Sequence, residues 1–125
     1  MLRCRKIALE VPGRVLCRGL DAAFGPGEVW AVLGRNGTGK STLVHVLGGL
    51  AAPASGCVML DDEPLERVEP KARARRLGVL LQIEEGTYWG TVEEYVLLGR
   101  FPHTRGWGGY AREDRAAVED ALDAV

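Results

Sequence analysis

The stretch "LGRNGTGKST", Leu33–Thr42, decides how the rest of the chain is read. Gly34 to Ser41 fits G-x-x-x-x-G-K-[ST] at every fixed position. The chemistry of that pattern needs a strand before it and a helix after it. Both are predicted. "VWAVL", Val29–Leu33, is short and apolar with two β-branched residues, as expected of a strand buried on both faces. Downstream, Leu43, Val46, Leu47 and Leu50 fall at i, i+3, i+4 and i+7, one apolar helix face. Gly48, Gly49 and Pro53 then favour termination. In the loop, Gly37 and Gly39 let the backbone curl until successive N–H groups point inward at an anion. The positive end of the helix dipole adds to the attraction. Lys40 supplies a mobile cation, and the Ser41 hydroxyl can ligate Mg²⁺. A loop serving only as a turn would explain the glycines but not the Lys-Ser pair.

Working outward, the N-terminal part reads as strands joined by tight turns. "KIALEV" leads through "PGR" (Pro12–Arg14) into "VLCRGLDAAF", and "GPGE" (Gly25–Glu28) forms a second turn. "CVMLDD" and "LGVLLQ" read as two further strands. After Gln82 the character changes. "EEGTYWG" is a loop with two large aromatics, and Thr91 and Glu94 have capping-box spacing. Val92, Tyr95, Val96 and Gly99 are predicted to share one helical face. "GRFPHTRGWGGY" is a glycine-rich connector, and "AREDRAAVEDALDAV" is a helix with Val118, Ala121, Leu122 and Val125 on one stripe.

Bulk properties bound the function. The 125 residues make one domain at most, with 46% apolar and 26% charged residues, ordinary for a soluble globular chain. Sixteen basic side chains nearly balance seventeen acidic ones, so no electrostatic footprint for nucleic acid is present. No apolar run is long enough to span a bilayer, and the N-terminus lacks a secretory apolar core. Cys4, Cys17 and Cys57 match no zinc spacing and are expected to be idle thiols in a reducing cytoplasm. The only asparagine, Asn36, lies in the phosphate loop, so the Asn-Lys-x-Asp segment that small GTPases use to read guanine is absent.

Three segments together resemble the ATPase subunits of ABC transporters: the Walker A loop "GRNGTGKST", the strand "LGVLLQ" ending in a Q-loop-like glutamine, and "GTVEEYVLLGRFPH". A helix ending Leu-Gly-Arg-x-Pro-His is similar to the importer ATPases for iron-siderophores, haem and cobalamin. The resemblance covers essentially the whole chain. It implies an α/β P-loop NTPase fold. Residues 1–82 would hold N-terminal β-strands and part of the RecA-like core, and residues 83–125 the start of the helical subdomain. It implies that Gly34, Arg35, Asn36, Gly37, Thr38, Gly39, Lys40, Ser41 and Thr42 bind the phosphates of ATP. Ser41 and Gln82 would hold Mg²⁺, with Gln82 sensing the γ-phosphate. The implied partners are transmembrane permease subunits and a second ATPase subunit, with the protein cytoplasmic and peripheral on the membrane through the permease. Tyr88 and Trp89 would serve either that interface or the core of the small subdomain. His103 is not the family's switch histidine and is expected in a loop or docking role. His45 is expected to be solvated or hydrogen-bonded, and Asp61-Asp62 and Glu84-Glu85 to be turn and surface charge.

Two departures stand out. The family stacks adenine on an early aromatic, whereas Val11 to Arg14 contains none. The Leu-Ser-Gly-Gly-Gln signature, the Walker B Asp-Glu and the switch histidine do not occur in these 125 residues. The resemblance therefore implies an N-terminal portion of such a subunit, with an incomplete sheet and no hydrolysis of its own. A non-hydrolysing regulatory module and a soluble ABC-type ATPase of repair or translation are the alternatives. Among transported substrates, "YWGTVEEYVLLGRFPH" looks most like the cobalamin importers.

Overall fold

The computed structural model describes residues 1–81, 88–104 and 109–125. Its sheet has four antiparallel strands in the order β2-β1-β3-β4: β1 Leu2–Val11, β2 Arg14–Phe24, β3 Ser55–Leu60 and β4 Glu63–Pro64. The helices are α1 Lys40–Leu47, α2 Pro70–Ala74, α3 Val92–Leu98 and α4 Arg112–Asp123, with a 3₁₀ turn at Phe101–His103.

Both expected N-terminal strands form. Pro12 and Gly13 connect them, Pro presetting φ and Gly13 taking φ +76°, the combination a type II turn requires. Asp61 and Asp62 make the turn from β3 to β4, as their position suggested. Asp61 there accepts from the N-terminal ammonium at 2.6 Å and pairs with Arg76. The core gathers Cys4, Ile7 and Leu9 of β1, Val58 and Leu60 of β3, Val46 of α1, and Leu65 and Val68. Ile7 is completely buried. Within the expected face of α1, Val46 is buried and Leu43 and Leu47 pack against the core, but the helix stops before Leu50, which is exposed. All three cysteines are free thiols; burial, then the charge of Asp21, pushes Cys4 up from its ordinary range.

Two strand expectations fail. Val29–Leu33 joins no ladder, and Val29 is 98% and Leu33 90% exposed. Residues 77–81 likewise form no strand, and Leu80 is 92% exposed. The cause is pairing, not composition. A central strand needs a neighbour on each edge, and among the described residues neither segment has one. Leu77 nevertheless packs against the core. An open cavity of 590 Å³ separates Trp30 and Val32 from Leu80 and Leu81, with Ser41, Val44 and His45 of α1 also lining it. The α/β fold is thus partial and its sheet incomplete.

Among the later helices, the capping box forms as predicted. The Glu94 amide donates to Thr91 Oγ1 at 3.1 Å, and the Thr91 amide donates to Glu94 Oε2 at 2.8 Å. The packed face of α3 differs from the expected one: Leu97 is buried and Val96 half-buried, while Val92 and Tyr95 are exposed. On α4, Val118 is buried and Leu122 half-buried, whereas Ala121 and Val125 are exposed. The stripe runs back through buried Asp114, whose carboxylate accepts from the Ala111 amide at 2.9 Å and from Arg100 Nε at 3.0 Å. Because a polar group at that depth needs partners, these bonds set how α3 meets α4. No helix among the described residues is long and apolar enough to cross a membrane.

Candidate nucleotide-binding site

The loop from Gly34 to Gly39 closes on itself before α1 begins. Lys40 Nζ donates to the carbonyl oxygens of Gly34 at 2.8 Å and Arg35 at 2.9 Å. The Thr38 hydroxyl donates to the same Arg35 oxygen at 2.8 Å. Gly37 and Gly39 take φ +77° and +100°, values that an L side chain rarely adopts. These turns carry the chain into α1, whose first regular bond runs from the Leu43 amide to the Gly39 carbonyl at 2.8 Å.

The start of α1 is electrostatically bare. No side chain caps it and its first turn carries no acid. The three later helices each bring a carboxylate to that end: Glu69 at α2, Glu94 at α3 and Asp114 at α4. Amide donation holds Glu69 below the ordinary carboxylate range, and Asp114 likewise, where Arg100 adds to the effect. At α1 the same orphan N–H groups and partial positive charge remain for a ligand. Lys40 adds a full charge beside them. The site therefore favours an anion with several acceptor oxygens, which is the chemistry of a polyphosphate.

The strands beneath fix this loop in place. Between Val15 and Cys17, β2 carries one extra residue relative to β1, because Glu10 pairs with Val15 but Leu9 with Cys17. The extra residue is Leu16, and a bulge of this kind re-aims a side chain. A Cβ built on Gly39 would lie 2.9 Å from Leu16 Cδ1. On the approach to the loop, Glu28 Oε2 accepts from the Gly25 amide at 2.8 Å and from Trp30 Nε1 at 2.9 Å. Those two bonds, the amide first, lower the Glu28 pKa. Trp30 in turn meets Phe24 edge to face at 5.2 Å. The bulge left no signal in the sequence, since it depends on the register between β1 and β2. The Glu28 clasp spans only Gly25 to Trp30, and the signal that could have found it is the Glu28-x-Trp30 spacing after the Gly25 turn.

Gly34 to Thr42 therefore run without a break from the loop into the first turn of α1, with Lys40 turned back onto the loop's carbonyls. Gln82, the other expected ligand, lies outside the described residues, as do Glu84 and Glu85. His45 is half-buried and lines the same cavity as Ser41. His103 sits in the 3₁₀ turn, which α2 holds: Arg75 Nε donates to the Pro102 carbonyl at 2.7 Å and Lys71 Nζ to that of Thr104. Tyr88 packs on Tyr95 with centroids 5.2 Å apart, while Trp89 is 90% exposed. Core packing is excluded for Trp89 among the described residues.

A profile of the ABC transporter family matches residues 17–125. The chain belongs to the ABC transporter family. It is 43% identical over 126 residues to a hemin import ATP-binding protein of Myxococcus xanthus, covering 95% of this chain and 46% of that protein. The hemin import ATP-binding protein of Pseudomonas aeruginosa is 42% identical over 125 residues, covering 100% of this chain and 48% of the relative. A ribose import ATP-binding protein of Rubrobacter xylanophilus is 39% identical over 121 residues, with 24% of its length covered. The chain thus spans about half the length of the hemin import relatives. Among solved structures, a dimeric ATP-binding cassette in a post-hydrolysis state with ADP and phosphate superposes with TM-score 0.80 at 21% identity, over 98% of this chain and 56% of that one. A second dimeric cassette structure gives 0.78 at 22% identity, over 98% and 55%. The fold is that of an ABC ATPase cassette, seen here in part, and the comparison supports the expected P-loop NTPase fold.

Proposed function

We propose that the chain supplies the phosphate-gripping part of the ATP-binding subunit of an ABC importer, with haem as the imported substrate. The observation that carries the nucleotide assignment is the pairing of Lys40 with an α1 N-terminus that no protein carboxylate occupies. The loop fits a triphosphate: Gly37 and Gly39 keep it free of side chains, and Lys40 is within reach of its rim. Mg²⁺ would be held by the Ser41 hydroxyl, with Gln82 as a second ligand, and would neutralise phosphate charge when bound. Lys40 and the first-turn amides would orient the β- and γ-phosphates.

The haem assignment rests on the names of the two hemin import relatives. Those names do not favour the cobalamin reading of the aromatic stretch. Exposed Trp89 and Tyr88 suit a protein surface, and a transmembrane permease is the partner proposed for them. A second ATPase subunit is proposed on the same footing, since the matched solved cassettes are dimers.

The test is a chimera. Residues 1–125 replace the matching N-terminal half of the Pseudomonas aeruginosa hemin import ATP-binding protein in a strain that needs that protein to use haem. Growth on haem is expected, and Lys40→Ala in the chimera should abolish it. A chimera that accumulates and binds ATP yet fails to restore growth would reject the importer assignment.

A further inference from the structure

The β1–β2 hairpin brings a second cation to the phosphate loop. Arg14 is the first residue of β2 and pairs with Val11 across the two-residue turn. A methyl group built on Gly37 would lie 4.0 Å from Arg14 Nη1. Two residues along the strand, Leu16 packs against Gly39. One end of β2 therefore lies beside the loop at both glycines. Arg14 is exposed, and among the described residues no carboxylate pairs with it. A guanidinium left free of acids beside an anion-favouring loop matches phosphate oxygens in planar, two-point fashion.

We propose that Arg14 is a nucleotide-binding residue whose guanidinium pairs with the phosphate chain of the bound nucleoside triphosphate. Lys40 grips that chain from inside the loop and Arg14 from the hairpin side. The segment where an aromatic was expected, Val11 to Arg14, thus contributes charge rather than a ring. This inference rests on the nucleotide reading above, and its test separates the two.

ATP–Mg²⁺ and inorganic tripolyphosphate are titrated against the 125-residue chain and its Arg14→Ala, Arg14→Lys and Lys40→Ala variants, each checked for native circular dichroism. Arg14→Ala is expected to weaken both ligands by the same factor, about tenfold, the size of one charge-assisted contact. Arg14→Lys, which keeps the charge, should recover most of that loss. If Arg14→Ala weakens ATP but leaves tripolyphosphate unchanged, Arg14 contacts the base and the phosphate assignment is overturned. If it changes neither while Lys40→Ala weakens both, Arg14 is no ligand contact and the nucleotide site stands without it. Should the unmodified chain bind neither ligand, the nucleotide reading itself fails and this inference falls with it.

Discussion

Leu16 of β2 packs directly against Gly39 of the phosphate loop, leaving 2.9 Å between Leu16 Cδ1 and the place where a Cβ on Gly39 would stand. Sheet and loop are therefore fitted to each other at a residue that also has φ +100°. Gly39→Ala adds strain twice, once in the backbone and once against Leu16. Each source costs about 1–3 kcal/mol. Urea unfolding should show a lowered midpoint, and ATP binding should fall because the loop is displaced. Measured against Leu16→Ala alone, adding Gly39→Ala should cost less than in the native background, because the Cδ1 clash is gone while the backbone strain and the 3.2 Å approach of Leu16 Cβ remain. A double variant as stable as Leu16→Ala would show that the backbone strain is negligible.

Two lysines should separate phosphate binding from packing. Lys40 donates to two loop carbonyls, whereas Lys71 donates to the Thr104 carbonyl and lies 5.7 Å from the centre of the Phe101 ring. Lys40→Ala should weaken ATP–Mg²⁺ by at least about tenfold. Lys71→Ala should leave ATP affinity unchanged but accelerate hydrogen exchange at the His103 and Thr104 amides. Equal losses of ATP affinity in both variants would remove the basis for assigning Lys40.

Acid should loosen the junction of α3 and α4. The Ala111 amide first, then Arg100, holds Asp114 below the ordinary carboxylate pKa. A depressed native pKa stabilises the fold fully above the unfolded value of about 3.9. That stability is lost as pH falls through the lower native value. Exchange of α4 amides should thus stay slow down to about pH 4 and rise in more acid solution. Asp114→Asn should exchange faster at neutral pH and lose the acid-dependent step, because its side chain carries no charge for Arg100. An unchanged pH profile in Asp114→Asn would assign the step to another carboxylate.

The bare segments around the 590 Å³ cavity should make the chain associate with itself. Val29, Leu33 and Leu80 are each at least 90% exposed, and burying one such side chain is worth about 1.5–3 kcal/mol. Unpaired backbone beside them offers a template for pairing. Sedimentation should show concentration-dependent association, accompanied by binding of an apolar-surface dye. Val29→Lys with Leu80→Lys should reduce both signals. A strictly monomeric, dye-silent chain would show that these segments are covered in solution.

Local chemistry was legible in the sequence. The left-handed turns at Gly37 and Gly39 and the start of α1 at Lys40 could be read from Gly34 to Ser41, because the residues that close the loop are neighbours in the chain. The Thr91–Glu94 capping box and the Pro12-Gly13 turn were equally plain, since each is complete within four residues. What only the tertiary structure decided depends on partners distant in the chain. "VWAVL" and "LGVLL" have strand composition but remain unpaired, because a strand is made by its neighbours and the described residues provide none. The bulge at Leu16 arises from register between β1 and β2, which no local pattern records. Arg14 looks like any turn-flanking surface residue until the hairpin places it beside Gly37. Short-range hydrogen bonding can be read directly from residue order, whereas pairing register and the direction of a long side chain are settled only when the chain has closed on itself.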